Sequence, residues 1–334
     1  MQLHAMTSNR VIAAVILATV SCGGDKITPP EPTPSEQIAE ARAAPDGAAY
    51  QLVQNVIVTF VKPAVGADPA GFFVQAQRVG PALFIATAPS TLNPVPTVGD
   101  EVSFTITTMG TTAGLRQAVG IAGFERTSQA NSIAGFVQNV SNRADLVSNV
   151  TGYESEIVTV SGTATSSPTP VGTGFLQAGF STAGVASDPS LKLRVRTTLA
   201  ASLDIGSGCH VTLDLVPMWR NGTTAQLSAW TSFDIVVSSC PAPNVGGSEA
   251  MSATTVEVRF DRLIEPGSVA ADGSQFTVPG LTVSGATVDG NTVTLTTTTQ
   301  TSGLSYTVTV AGTVTDTYGT ALNPAANTTT FTGF

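Results

Sequence analysis

The sequence predicts an all-β protein built from several small modules. Charged residues make up 11% of the chain, well below the roughly one quarter that is usual in globular proteins, and Thr, Ser, Gly, Val and Ala take their place. Segments such as "VEVRF" alternate apolar and polar residues with the period of two that is typical of half-buried strands. Two stretches in the middle of the chain also resemble each other in the same order. The 334 residues are enough for two or three domains.

The N-terminal segment predicts export. The apolar run 11–20 is too short to cross a bilayer as a helix, which needs about 20 residues, but it suits the core of a signal peptide. The following "LATVSC" resembles a bacterial lipobox, which implies cleavage before Cys22 and lipidation of that cysteine, although Thr19 departs from the usual Leu. We therefore expect a lipoprotein signal peptide at 1–21, with an ordinary secretion signal as the alternative.

The segment after Cys22 predicts a tether. Residues 22–44 include "GGDKITPPEPTPSEQ", which is rich in Pro and Gly and lacks apolar periodicity. Such a composition favours an extended or flexible chain. We expect a flexible linker over 22–44.

The internal repeat predicts two modules, at 45–130 and 131–240. "GFFVQAQ" at 71–77 corresponds to "GFLQAGF" at 174–180, and "PTVGDEVSFTIT" at 96–107 corresponds to "LDIGSGCHVTLDL" at 203–215. Each copy contains five segments with strand character. The predicted strands are 51–63, 71–77, 82–88, 101–109 and 115–127 in the first copy, and 154–165, 173–180, 191–197, 209–217 and 225–237 in the second.

Five strands in about 90 residues favour a small closed barrel. The run "GFFVQ", then an alternating strand, then "VGDEV", resembles OB-like modules of secreted bacterial surface proteins over about 45–240. The resemblance implies two tandem OB-like five-stranded barrels. No convincing helix separates the third and fourth strands in either copy, and "PSTLNPVPT" in the first is too rich in proline for one. A seven-stranded sandwich is the alternative.

The last module, 241–334, predicts a β-sandwich. Val256, Val258 and Phe260 share one face of a strand, and Asp289-Gly290-Asn291 forms a tight hairpin turn. The run from "VEVRF" to "TTFTG" resembles a bacterial Ig-like domain of the SbsA type. Such domains are spacers or adhesive stalk units, so the resemblance implies an Ig-like architecture and no particular chemistry.

The cysteines predict one disulfide. With Cys22 assigned to the lipobox, Cys209 and Cys240 remain as a pair, and an oxidising compartment favours a bond between them. For a loop of that size the bond stabilises the fold by about 3–4 kcal/mol. Two free buried thiols are the alternative.

Catalytic signatures are missing from the sequence. The chain has no G-x-S-x-G, H-E-x-x-H or C-x-x-C motif and no phosphate-binding glycine loop. His210 lies opposite Val211, Leu213 and Leu215 on its strand, on an exposed face that indicates a structural role. Asp261 and Asp316 are expected to cap turns and not to bind calcium. We expect no cofactor, no metal and no enzymatic activity.

One basic strip carries a binding hypothesis. In "LKLRVRT", Lys192, Arg194 and Arg196 face away from the apolar residues of the same strand. This is the predicted third strand, part of the ligand-binding face of OB folds. The loop "PMWRNGTT" is predicted to place Trp219 and Arg220 at a turn tip, where they would help to bind a sugar or a nucleic-acid strand by stacking and charge. The alternative is a solvated strand face, with Trp219 partly tucked against the barrel mouth.

These observations predict a non-enzymatic, lipid-anchored cell-envelope protein with a structural, adhesive or ligand-presenting role. The membrane, through the lipid, is the expected partner, and a surface polysaccharide is a further one. Gly23 after the cysteine, in place of Asp, leaves export to the outer membrane open, and we expect a location at the outer membrane or the cell surface. The net charge of −9 argues against general nucleic-acid binding. The alternative is a binding module for an anionic polysaccharide or nucleic acid that acts through the second barrel.

Overall fold

The computed structural model describes residues 30–334, so the predicted signal peptide and Cys22 lie outside the described residues. The fold is all-β, with two OB-like barrels followed by an Ig-like domain. No helix in the described range is long and apolar enough to cross a membrane.

The first described element is a helix, α1 (Pro34–Ala43). Thr33 and Glu36 form a capping box at its start, and Pro34 occupies the first turn, where its missing N–H costs nothing. Ile38 and Ala41 are buried in the core of the first barrel. The flexible linker predicted for 22–44 is therefore wrong over α1, because the capping box and two buried apolar residues fix this segment.

The first barrel closes in the order β1-β2-β3-β5-β4. The β3–β5 pair is parallel and the other pairs are antiparallel. A short 3-10 helix, Pro89–Thr91, lies between the third and fourth strands. The five strands are β1 (Gly47–Lys62), β2 (Gly71–Gln75), β3 (Ala82–Ile85), β4 (Glu101–Thr112) and β5 (Leu115–Ser128).

The second barrel repeats this order. Its ring runs β7-β9-β10-β12-β11 and closes by the β11–β7 pair, again with one parallel pair, β10–β12. The elements are β6 (Gln138–Asn139), α2 (Val150–Tyr153), β7 (Ile157–Ala164), β8 (Thr169–Pro170), β9 (Phe175–Thr182), β10 (Leu191–Arg196), α3 (Thr197–Leu203), β11 (His210–Asn221), β12 (Thr224–Ala229) and β13 (Ile235–Ser239). Nine of the ten predicted strands are present as single strands, whereas the one predicted at 225–237 is divided into β12 and β13 by residues 230–234.

Two details of the second barrel differ from the sequence prediction. Helix α3 lies between the third and fourth barrel strands, where the sequence indicated no helix. Leu215 is exposed and has a positive φ of 54°, because the register with β7 shifts between Leu213 and Val216. This bulge turns Leu215 away from the core that Val211 and Leu213 enter.

The Ig-like domain consists of two facing sheets, β14-β15-β18-β17 and β16-β19-β20. Val256, Val258 and Phe260 are buried between them, as predicted, and Gly290-Asn291 forms the two-residue hairpin turn. The strands are β14 (Val245–Ser252), β15 (Thr255–Phe260), β16 (Phe276–Thr277), β17 (Val283–Asp289), β18 (Thr292–Thr297), β19 (Ser305–Val310) and β20 (Thr328–Thr332), with 3-10 helices at Pro266–Ser268 and Pro324–Ala326.

The two barrels share a core. The hydrophobic cluster of the second barrel continues into the first through Phe60, Phe73 and Phe84. The backbones of the two barrels also come close at Gly66, which has a φ of +57°. A Cβ atom at this position would overlap the carbonyl oxygen of Thr173. The barrel–barrel junction is thus a packed interior and not a flexible hinge.

Candidate functional site

The predicted basic strip lies on β10 with the expected facing. Leu191, Leu193 and Val195 are buried inside the barrel, and Lys192 and Arg196 are partly exposed on the other face. Arg194, however, is only 7% exposed. The strip is therefore not a continuous solvent-exposed surface, because the first barrel covers its middle residue.

Arg194 joins the two barrels. Its Nη2 atom donates to Asp68 Oδ2 at 2.6 Å, and Asp68 belongs to the β1–β2 loop of the first barrel. The guanidinium carbon lies 3.5 Å from the centre of the Phe175 ring. Burial lowers the pKa of Arg194, while Asp68 opposes this effect.

Trp219 and Arg220 do not lie at a turn tip. They belong to β11, because the hairpin to β12 turns on two residues, Gly222 and Thr223. Trp219 is 8% exposed, and its ring centre lies 5.5 Å from that of Phe84 and 6.1 Å from that of Trp230. The predicted exposed stacking platform is thus wrong, since the aromatic ring packs into the barrel junction.

Lys62 ends β1 and enters this aromatic group. Its Nζ atom lies 5.3 Å from the Trp219 ring centre and 5.9 Å from that of Trp230, within the range of a cation–π interaction. The ammonium also donates to the carbonyl of Pro69 at 2.7 Å and to that of Pro63 at 3.2 Å. Burial lowers the pKa of Lys62 to about 8.

Glu154 is a buried acid that connects three elements. Its Oε1 atom lies 3.2 Å from Arg42 Nη2 of α1 and accepts the backbone N–H of Arg116 at 3.0 Å. Its Oε2 atom accepts a hydrogen bond from Arg220 Nη1 at 3.0 Å. Helix α1, the first barrel and the second barrel therefore meet at one carboxylate.

A cleft of about 190 Å³ remains open between the barrels. Arg194, Trp219 and Arg220 line it together with Asp68 and Asn221. Three of the five residues predicted to bind a ligand thus surround one cavity.

The other two predicted residues lie elsewhere. Lys192 lines a separate pocket together with Asp188. Arg196 Nη1 donates to the carbonyl of Trp230 at 3.3 Å. Neither residue lines the cleft.

Cys209 and Cys240 form the predicted disulfide, with an S–S distance of 2.06 Å. Cys209 immediately precedes β11 and Cys240 immediately follows β13, and these two strands are antiparallel neighbours. The Nη1 atom of Arg262, from the Ig-like domain, donates to Cys209 Sγ at 3.2 Å. The disulfide therefore lies where the second barrel meets the Ig-like domain.

Arg262 is the centre of that second junction. Its guanidinium lies 3.0 Å from Asp204 Oδ2 of the barrel and 3.3 Å from Asp316 Oδ2 of its own domain. Asp316 also caps its turn as predicted, by accepting the backbone N–H groups of Tyr318 and Thr320. Asp261 differs, because its carboxylate binds both nitrogens of Asn244 across the domain.

His210 is exposed, as predicted, and its Nδ1 atom lies 3.0 Å from Ser238 Oγ. Asp214, on the same strand, accepts a hydrogen bond from Thr159. Within residues 30–334, no group of three His, Cys, Asp or Glu side chains is arranged to hold a metal ion.

Several of these residues could not be singled out from the sequence. Lys62 and Asp68 are isolated charges in otherwise apolar or small-residue segments, and Glu154 has only Glu156 as a charged neighbour. "GYESEIV" does place two acids next to an apolar strand, which is the one local signal for a buried carboxylate.

Comparison with known proteins identifies one part of the chain. Residues 231–333 match the family model described as "Bacterial Ig-like domain", which confirms the resemblance of the last module. The match begins before β13 and so includes the last strand of the second barrel. No curated protein sequence matches the chain.

Solved structures give weaker likenesses. The N-terminal part of the bacterial S-layer protein SbsC is 27% identical over 27% of this chain, with a TM-score of 0.25, and the chain covers 23% of that structure. The tetrameric p202 HIN2 domain is 12% identical, with 58% of this chain and 95% of that chain covered and a TM-score of 0.29. A murine DNA-binding protein with bound double-stranded DNA is 10% identical, with 56% and 96% covered and a TM-score of 0.26. These TM-scores are too low to support a conclusion about function.

Proposed function

We propose that this is an exported, non-enzymatic protein of the bacterial cell envelope, held to the membrane by a lipid on Cys22, which presents its β-modules as a structural or ligand-presenting unit. The match of residues 231–333 to the bacterial Ig-like domain family carries the proposal. Such domains supply architecture, and the chemistry of a site has to be argued separately.

The use of the charged and aromatic residues supports a structural role. Arg194, Arg220 and Arg262 are engaged in ion pairs that cross from one module to another or hold a junction. Trp219 and Lys62 fill the space between the barrels. Residues that would form an exposed binding surface are thus largely used to join the modules.

The disulfide supports export. Cys209 and Cys240 are bonded, and disulfides persist in oxidising compartments such as the bacterial periplasm or the cell surface. The lipobox-like "LATVSC" before Gly23 is the basis for the lipid anchor.

Replacement of Cys22 tests the anchor. We expect the parent protein to fractionate with membranes and to incorporate labelled fatty acid, and Cys22→Ala to lose both properties. Cys240→Ala is the control, because it also removes one cysteine but leaves the lipobox intact, so it should still incorporate the label. Separation of inner and outer membranes then locates the parent. A Cys22→Ala protein that stays in the membrane fraction, or a parent found only in the medium, would show that the anchor is wrong.

A further inference from the structure

The cleft between the barrels is a composite site. Asp68, Thr112 and Ala113 contribute from the first barrel, and Arg194, Trp219 and Asn221 contribute from the second. Neither barrel contains this set of side chains alone. The cleft therefore exists only because the two modules are docked as they are.

The charge around the cleft is not balanced. Asp68 is the partner of Arg194, and it also interacts electrostatically with Lys62 behind it. Arg220 is paired with Glu154. One carboxylate thus serves two cations, Arg194 and Lys62, which leaves an excess of positive charge at a largely buried position and favours a bound anion.

Two side chains that line the cleft carry a donor without a partner. The Nη1 atom of Arg194 has no hydrogen-bond partner within residues 30–334, and it is closed to solvent, so an anion in the cleft would reach it only after the side chain shifts. A charged donor left without an acceptor is costly, and native structures rarely keep one without a reason. The side-chain amide of Asn221, which is exposed and also lines the cleft, forms no hydrogen bond to the described part of the chain.

The size of the cleft limits the ligand. About 190 Å³ corresponds to roughly six water molecules at about 30 Å³ each. A nucleic-acid strand needs a longer groove with cations and open aromatic faces, whereas Trp219 is nearly buried and the chain carries a net charge of −9.

We infer that this cleft binds a small oxyanion, a carboxylate or phosphate group carried on a molecule no larger than a sugar. Arg194 supplies the charge, Asn221 supplies neutral donors, and the Trp219 side chain forms an apolar wall. This inference goes beyond the proposed anchoring role. Either one can fail without the other, because anion binding depends on the cleft and anchoring depends on Cys22.

The test is a titration of the full exported protein at constant ionic strength. The chain has two tryptophans, and one of them lines the cleft, so intrinsic fluorescence and calorimetry both report occupancy. Sodium glucuronate and inorganic phosphate are the two anionic probes, and glucose is the neutral control. We expect saturable binding of at least one anion and none of glucose. Glucuronate alone would identify a carboxylate on a sugar, phosphate alone a phosphate, and equal binding a simple oxyanion site.

Three variants locate the binding. Arg194→Gln should weaken it by roughly tenfold or more, as expected for loss of a charge-assisted hydrogen bond. Asn221→Ala, which breaks no contact between the barrels, should weaken it a few-fold. Lys192→Gln is the matched control, because it removes the same charge from the same face of β10 but does not line the cleft, and it should bind as the parent does.

Each contrary result is decisive. If no anion binds saturably, the inference is wrong. It is also wrong if Lys192→Gln loses binding as fully as Arg194→Gln, or if a single-stranded oligonucleotide binds and is not displaced by either anion. Should Arg194→Gln fail to fold, Asn221→Ala decides, and unchanged binding in that variant would overturn the assignment.

Discussion

The two junctions in this molecule are built from different interactions. Between the barrels, Phe60, Phe73 and Phe84 of the first barrel pack with Trp219 and Trp230 of the second. This junction is an extension of a hydrophobic core, in which many small contributions add up.

The junction between the second barrel and the Ig-like domain depends on charge instead. Arg262 lies between Asp204 and Asp316, and Asp316 is 0% exposed. The hydroxyl of Tyr318 donates to the carbonyl of Leu203, and Asp204 accepts the backbone N–H of Leu263. A buried ion group of this kind stabilises little as a whole but costs much when one member is removed. The first junction should therefore weaken in proportion to the apolar contact that a substitution removes, and the second should be lost when any one of its buried charges is removed.

The largest expected effect comes from Trp219→Ala. Removal of this buried ring should lower the free energy of unfolding by about 3–5 kcal/mol, and it should uncouple the two barrels. Chemical denaturation followed by circular dichroism would then show a broader or two-step transition. Phe233→Ala is the control, because Phe233 is 92% exposed and its loss should change stability by less than about 0.5 kcal/mol. Equal effects of the two changes would contradict a shared core.

Next in size is the disulfide. The cysteines are separated by 31 residues, so replacing both with Ala should cost about 3–4 kcal/mol. The parent should lose the same amount when a reductant is added, and the double variant should not respond to it. Peptide mass mapping without reductant checks the bond directly, and recovery of two free thiols would refute it.

A loss of stability of similar size, but confined to one junction, is expected when Arg262 is replaced. Arg262→Met leaves Asp316 buried without its cation, which should cost about 3 kcal/mol. Faster proteolytic cleavage near residues 240–244, between the second barrel and the Ig-like domain, would show that the loss is local to this junction.

Arg259→Met is the matched control for Arg262. Arg259 pairs with Glu249 and Glu257 on the surface, and exposed pairs contribute less than about 1 kcal/mol. If Arg262→Met and Arg259→Met lower the free energy of unfolding equally, the second junction does not depend on its buried ion group.

The smallest expected effect is a change in pH dependence at Glu156. This carboxyl is buried at the barrel junction, where it accepts the N–H of Gly80 at 2.8 Å and a hydrogen bond from Gln138. Burial raises its pKa from 4.5 to about 7. The folded protein therefore holds this proton more tightly than the unfolded chain, so the contribution of Glu156 to stability is fully present below pH 4.5 and is lost as the pH rises through 7.

Glu156→Gln should remove this dependence. Relative to the variant, the parent should lose about 2 kcal/mol between pH 4.5 and 7, measured by denaturation at both ends of the range. Glu249→Gln, at an exposed site, should leave the pH profile unchanged. Parallel profiles for the parent and Glu156→Gln would show that Glu156 is not protonated in the folded state.

Much of the fold could be predicted from the sequence. Period-two alternation predicted the buried face of strands such as β15, with Val256 and Val258, although it failed at Leu215 on β11. The internal repeat predicted five strands in each barrel ring. The pairing of Cys209 with Cys240 followed because these two cysteines remained once Cys22 was assigned to the lipobox.

The site was less predictable for a physical reason. Alternation on β10 shows that Arg194 faces away from the barrel interior, but it does not show that Asp68, 126 residues earlier, covers it. Trp219 was assigned to a loop because "NGTT" reads as a longer turn than the two residues used. Helix α1 was missed although Thr33 and Glu36 form a capping box, since the surrounding prolines suggested a tether.

The position of helix α1 has a mechanical consequence. Arg42, in its last turn, donates hydrogen bonds to the carbonyl oxygens of Ala82 in the first barrel and of Thr151 and Glu154 in the second. Tension applied to the chain at residue 33 would therefore be shared between both barrels at once, in parallel, before it could peel β1 from its neighbours.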